Sequence, residues 1–177
     1  FYTLACERLP GGRGFGEPVS LMVELGSDTA ILRLMLAKPG KVLLAADTGH
    51  GFIADIESNI AQTRNGKQVM TLAGGAKALV AAPAVGDMVA VVGVNRKMLV
   101  FPLTELPEMN RGRGVTLQRY KDGTLADACV FSREIGLSWK QSGGRTRTEN
   151  DTDPWLGKRA GAGRMVPTGF PRPARFT

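Results

Sequence analysis

Apolar residues fall in short runs separated by breaks rich in glycine, proline, asparagine and aspartate. Runs of strand length between turn residues predict β-structure rather than helix. Residues 41–46 and 51–56 flank Asp47-Thr-Gly-His50, a turn with glycine where a positive φ is needed. Residues 88–94 and 98–103 flank Asn95-Arg-Lys97, and asparagine tolerates left-handed backbone at such an apex. The same pattern predicts strands at 1–6, 19–25, 31–36, 67–72, 115–120, 125–131 and 135–140, and leaves 78–82 as a small apolar run ended by Pro83. Residues 145–148 alternate arginine with threonine and support only a short extended edge, since they have no apolar face. The chain is therefore expected to be all-β.

The two hairpins repeat one another at an offset of about 47 residues, and Gly12-Arg-Gly-Phe15 returns as Gly112-Arg-Gly-Val115. Self-similarity at this period predicts a propeller-like array in which no single sheet buries its own face. The 177 residues accommodate three to four blades of roughly 45 residues. A closed propeller generally needs at least about four blades, so the array is expected to be open or incomplete, with edges that need covering. Residues 1–150 read as these repeats. Residues 151–177 read as a basic Pro/Gly-rich tail, which Pro167, Pro171 and Pro173 keep irregular. Trp155, Phe170 and Phe176 give that tail the means to pack on a sheet; otherwise it trails in solvent.

Charge adds a functional direction. The net charge is +7 and the pI about 9.9, and residues 140–177 hold eight basic and three acidic side chains. This balance favours an anionic partner, nucleic acid first. Candidate phosphate contacts are Arg13, Arg33, Lys38 and Lys41 early in the chain, then Arg64, Lys67, Lys77, Arg96 and Lys97. Arg111, Arg113, Arg119, Lys121 and Lys140 follow, and Arg145, Arg147, Lys158, Arg159 and Arg164 lie in the basic end. Any one of these is ordinarily a solvated surface charge, so the argument rests on the group. Arg13 and Arg113 stand out because flanking glycines let a phosphate meet both guanidinium and backbone N–H groups. Trp139 and Trp155 read as packing residues rather than base-stacking platforms.

The residues for other chemistry are sparse. His50 is the only histidine and sits between two glycines in a turn. Cys6 and Cys129 are far apart and read as small buried side chains, not as a disulfide or zinc set. Asp47, Asp55 and Glu57 lack the spacing of a calcium loop. Gly12-Arg-Gly-Phe-Gly16 lacks the Lys-Ser/Thr ending of a phosphate-binding loop. No catalytic residue, metal or cofactor is expected. There is no apolar run near the roughly 20 residues of a membrane span, and the chain opens at Phe1 inside an apolar run, as an excised domain of a longer protein would. Cytoplasm is the expected compartment.

Several motifs together carry a family likeness: Gly12-Arg-Gly-Phe-Gly-Glu-Pro18, Ala46-Asp-Thr-Gly-His-Gly-Phe-Ile53, Asn65-Gly-Lys67, Glu105-Leu-Pro107, Arg111-Gly-Arg-Gly-Val-Thr-Leu117 and Gly143-Gly-Arg145. Across nearly its whole length the chain resembles the C-terminal DNA-wrapping domains of the gyrase A family, in the topoisomerase IV branch. The resemblance implies a β-pinwheel, with four-stranded blades around an axis and a strand exchanged between neighbours. It implies a non-catalytic domain holding duplex DNA on a basic rim while N-terminal domains of the same polypeptide cut and pass strands, supported by an ATPase subunit. The isolated domain would be a monomer, cytoplasmic and nucleoid-associated in its parent. Gly11-Gly-Arg-Gly14 and Arg111-Gly-Arg-Gly114 stand where gyrases carry a Gln-Arg-Arg-Gly-Gly-Lys-Gly-like wrapping box. That difference implies a guide for bent or crossed duplexes more than a chiral wrapper. Neither Tyr2 nor Tyr120 lies in the family's catalytic motif.

Three readings follow. The first is a DNA-binding accessory domain of a type II topoisomerase, supporting strand passage, decatenation and supercoil relaxation. The second is a β-propeller protein-interaction module without DNA binding. The third, a small enzyme, would need His50 and clustered acids in a deep pocket.

Overall fold

In the computed structural model, which describes residues 1–12, 14–26, 28–141 and 143–176, ten strands form among the described residues. They are β1 (Lys41–Ala46), β2 (His50–Asp55), β3 (Ala78–Pro83), β4 (Met88–Gly93) and β5 (Lys97–Pro102). After these come β6 (Val115–Thr116), β7 (Leu125–Phe131), β8 (Leu137–Lys140), β9 (Thr146–Glu149) and β10 (Arg164–Met165). The two hairpins read from the sequence are β1–β2 and β4–β5. Val42 to Ala46 and all six residues of β4 are buried, which explains their near-continuous apolar composition. A strand covered on both faces has no polar side to show.

Each hairpin turn closes as its residues dictate. Gly49 takes φ +79°, its N–H donates to the Ala46 carbonyl at 2.9 Å, and a side chain there would strike the Tyr120 ring. Arg96 takes φ 62° at the other apex, where Asn95 Oδ1 accepts from the Lys97 amide at 3.1 Å. Asparagine thus braces the turn and the arginine bears the left-handed backbone.

Two four-stranded antiparallel sheets result, ordered β3-β1-β2-β6 and β10-β5-β4-β7, with a two-stranded β8-β9 sheet beside them. The four-stranded sheets resemble propeller blades and do not close into a barrel. The edge strand β6 of the first sheet follows the whole β4–β5 hairpin of the second, so the chain leaves one sheet, starts another and returns. Strand β3 packs against β7, and between the sheets lies a core of Leu43, Val80, Val89, Val91, Phe101, Leu117 and Leu125.

The second core joins the second sheet to β8–β9 and the C-terminal segment. It contains Met98, Val100, Leu137, Trp139, Trp155, Phe170 and Phe176. Trp139 and Phe170 have ring centroids 5.1 Å apart, and Phe170 and Phe176 are 5.6 Å apart. Trp155 Nε1 donates to the Met165 carbonyl at 2.8 Å. Phe176 N–H donates to Asp127 Oδ2 at 2.7 Å. These anchors hold the Pro/Gly-rich segment on the sheet as a strap.

The first forty residues differ from the sequence expectation. Residues 1–6 and 31–36 are not strands, and 19–25 holds only a short 3-10 turn at Val19–Leu21. Cys6 is therefore exposed rather than buried, because no sheet forms around it. Of residues 67–72, only Met70 makes a bridge, to Gly112. Apolar spacing there lacks a ladder partner within the described chain, and a lone strand leaves its N–H and C=O groups unpaired. Of residues 115–120 only the first two pair in a ladder. Leu117 and Gln118 are instead buried, and Gln118 Nε2 donates to the carbonyls of Lys97 and Ala162.

Candidate nucleic-acid interface

Edge strands bring basic side chains together from distant parts of the sequence. Strand β6 pairs with β2 through His50–Thr116 and Gly51–Val115. Gly114, just before it, takes φ +80°, and a Cβ there would lie 2.3 Å from the Gly51 carbonyl oxygen. Only glycine allows that approach, which places Arg113 beside the start of β2. Beyond β6, Arg119 N–H donates to the Gly161 carbonyl at 3.1 Å, and Ala160 N–H donates to that of Leu117 at 2.8 Å. Strand β10 then pairs Arg164 with Met98 and Met165 with Lys97. Arg113, Arg119, Lys158, Arg159, Arg164, Arg96 and Lys97 therefore follow the linked edges of the two four-stranded sheets.

These cations are not equivalent. Arg96 donates to the Pro171 and Phe170 carbonyls at 2.9 and 3.1 Å, tying the strap to the β4–β5 turn. Arg159 donates to the Thr116 and Glu105 carbonyls at 2.7 and 3.1 Å, tying the strap to β6. Arg147 donates to the Thr168 carbonyl and to Glu149, and its guanidinium lies 5.4 Å from the Trp139 ring centroid. Their forks are occupied by the fold. Lys41 is paired with Glu108, Arg111 donates to Gln68, Arg64 to the Leu21 carbonyl and Lys67 to the Ser58 carbonyl. By contrast Arg33, Lys38, Arg113, Arg119, Lys121, Arg145 and Lys158 are exposed and make no side-chain hydrogen bond or ion pair with described residues. Arg164, Lys77 and Lys140 share that condition.

The edges do not gather every candidate. Arg33 and Lys38 lie in the irregular N-terminal part, and Arg64 and Lys67 brace it. Arg145 lies beside the β8–β9 turn, where its carbonyl accepts from the Gln141 amide. Arg13 lies outside the described residues. Arg172 and Arg175, exposed on the strap, were not among the sequence candidates. Their only signal was the unopposed positive charge of residues 154–177.

His50 sits at the β2–β6 joint. Its Nδ1 is 3.2 Å from Thr48 Oγ1 and its Nε2 is 3.5 Å from Thr116 Oγ1. Burial holds its pKa below the ordinary histidine value, the Arg113 charge lowers it further, and a backbone hydrogen bond at Thr48 opposes both. A groove of about 430 Å³ under the strap is lined by Arg96, Phe170 and Arg172 among others, and His50 is not part of it. Among the described residues no three His, Cys, Asp or Glu side chains gather as a metal site, and no helix is long and apolar enough to cross a membrane.

Comparison with known proteins agrees with this architecture. A family model described as DNA gyrase C-terminal domain, beta-propeller, matches residues 87–131, the segment from β4 through β7. The A subunit of DNA topoisomerase 4 from Caulobacter vibrioides is 45% identical over 177 residues, covering 99% of this chain and 23% of that protein. Its counterpart of the same name from Rickettsia bellii is 41% identical over 178 residues, covering 100% of this chain and 24% of its own length. The chain thus spans about a quarter of these relatives. The solved E. coli ParC C-terminal domain superposes with a TM-score of 0.77 at 25% identity, covering 94% of this chain and 72% of that one. The chain is homologous to the C-terminal domains of the topoisomerase IV and gyrase A subunits and belongs with them.

Proposed function

We propose that this domain holds duplex DNA through phosphate contacts on the linked edges of its sheets, without reading bases. The observation that supports the reading is the backbone joining of β6 to the segment before β10, since exposed Arg113, Arg119, Lys158 and Arg164 lie on or next to those joined segments. Cations in a row neutralise successive phosphates and release counterions, while side chains directed at the backbone carry no sequence information. Arg33, Lys38, Lys121 and Arg145 extend the field, and Arg13 joins it on the sequence argument alone. Arg96, Arg147 and Arg159 hold the surface in shape and contribute charge more than direct contacts. Lys41, Arg64, Lys67 and Arg111 contribute similarly, and Lys97, half-buried at the start of β5, adds its charge to the edge.

In the longer polypeptide that the relatives describe, such a domain presents or bends a duplex for strand passage, with decatenation and supercoil relaxation as the outcome. Its partners are then the cleavage domains of that same polypeptide and a separate ATPase subunit; the expected location is the nucleoid, in the cytoplasm. In this reading the blade repeats lie within residues 1–150, from β1 onward, and 151–177 form the strap across them.

The test is a salt series with duplex DNA. Each phosphate contact contributes a slope of about −0.9 in log affinity against log salt. Arg119→Ala with Arg164→Ala should flatten the slope by nearly 2 on that basis. An unchanged slope removes these arginines from the interface, and equal affinity at about 50 and 200 mM salt removes the DNA reading.

One observation favours the protein-interaction alternative. Phe15, Leu21, Leu34 and Leu36 are exposed in the irregular first forty residues. A protein-docking role there predicts that Leu34→Ala with Leu36→Ala, which leave the charge unchanged, disrupt a complex with the cleavage domains and leave the DNA salt slope intact.

A further inference from the structure

The joint between β2 and β6 holds a group that a rim of permanent cations leaves unexplained. His50 stands opposite Thr116 in the ladder, and its ring is bracketed by the Thr48 and Thr116 hydroxyls. A hydroxyl can donate or accept. The neutral ring needs one donor and one acceptor; the imidazolium needs two acceptors. Rotation of one threonine hydroxyl makes the change, so protonation strands no hydrogen-bonding group. The hydroxyl hydrogen released by that rotation is free to donate to a ligand.

Arg113 is fixed beside this ring by the contact of Gly114 on Gly51, and its guanidinium is exposed with no partner among the described residues. The other charged or titratable groups packed around the joint are already engaged. The Asp47 carboxylate accepts from the Lys77 amide, and Glu105 Oε2 accepts from the Arg159 amide. Arg159 spends its own fork on the Thr116 and Glu105 carbonyls. Tyr120, against Gly49, is kept un-ionised by burial. Arg111 is on Gln68, and Glu108 is on Lys41. A vacant arginine thus adjoins a titratable ring, and no carboxylate described around the joint is free to neutralise them.

We propose that His50 and Arg113 together form a phosphodiester subsite at this joint, at which His50 binds as the imidazolium. The inference rests on the DNA-holding reading and deepens it. Without an anion, burial and the Arg113 charge disfavour the ring proton. A phosphodiester carries one negative charge and turns that local repulsion into attraction, so binding takes up a proton. Affinity then rises as pH falls through the bound-state pKa and levels off below the free-state value. His50 is the sole histidine, so no other side chain with an ordinary pKa titrates between about pH 5 and 8. The Phe1 amine, also lowered by burial, is engaged elsewhere, on the Lys67 carbonyl.

The experiment follows fluorescence anisotropy of a labelled duplex of about 30 base pairs with the full chain, at fixed ionic strength, near pH 5.5 and 7.5. A rise of about one pKa unit on binding gives affinity about fivefold to tenfold tighter at the lower pH. His50→Gln should abolish that dependence. His50→Lys should bind at the higher pH as tightly as the parent does at the lower. By NMR, the His50 Cε1–H titration should move upward on adding DNA, and Arg113→Ala should raise it in the free protein. A His50→Gln variant with the parent's pH dependence, or a ring titration unmoved by saturating DNA, overturns the subsite alone. Absence of binding at low salt at both pH values overturns the DNA reading and the subsite with it.

Discussion

Replacing Phe170 with alanine removes the centre of the strap's anchorage. The side chain is 4% exposed and lies between Trp139 and Phe176, at centroid distances of 5.1 and 5.6 Å. Full burial of a phenylalanine contributes about 1.5–3 kcal/mol by transfer. Each ring contact adds about 0.5–1.5 kcal/mol. Those ranges agree with the loss of about 3–5 kcal/mol typical of Phe→Ala in a core. The cavity has little chance to collapse, because Arg96 holds the Phe170 and Pro171 carbonyls and keeps the backbone in place. Urea unfolding followed by tryptophan fluorescence measures the loss, since Trp139 and Trp155 both lie in this core. For a slope of about 2 kcal/mol/M the midpoint should fall by about 2 M. Phe170→Leu should lose clearly less. Should the strap detach before the sheets unfold, the midpoint changes less and residues 151–177 become sensitive to protease. A midpoint within about 0.3 M of the parent together with unchanged proteolysis would refute the placement of the strap in the core, as that shift is worth well under 1 kcal/mol.

Two further outcomes check the remaining joints. Gly114→Ala sets a methyl group against the Gly51 carbonyl at a backbone φ of +80°, so it should cost at least about 2 kcal/mol in urea unfolding and shorten the hydrogen-exchange protection of Val115. Under native conditions a thiol reagent should label exposed Cys6 quickly. Cys129, whose thiol pKa is raised by burial and the Asp127 carboxylate, should react only as the protein unfolds.

The hairpins were legible because their burial is simple. Continuous apolar runs ended by Asp-Thr-Gly-His or Asn-Arg-Lys have few alternatives once both faces are covered, while β7, only partly buried and interrupted by Asp127, is bounded instead by the Lys121-Asp-Gly123 turn. The strands expected before residue 41 show where spacing alone stops. Val19, Leu21, Val23 and Leu25 have strand-like alternation, but pairing is a property of two segments, and the second is not encoded in the first. The strap posed the converse difficulty. Trp155, Phe170 and Phe176 are isolated among prolines and glycines, so no period announces their shared core. At the candidate interface, charge revealed the group but not its division of labour. Arg96 and Arg119 look alike in sequence; only the fold brings carbonyls from 74 and 75 residues away to the first.

The late arrival of β6 also orders events in time. As a polypeptide leaves the ribosome, Lys41–Ala46 and His50–Asp55 emerge long before Val115–Thr116, so the first sheet waits with an unsealed margin while its neighbour begins to form. Maturation of the two units is thereby interlocked, and neither can be cut out as an autonomous piece. Long-range closure of this kind slows folding, and it makes the interval before residue 116 is available the period when the nascent chain most needs protection from other molecules.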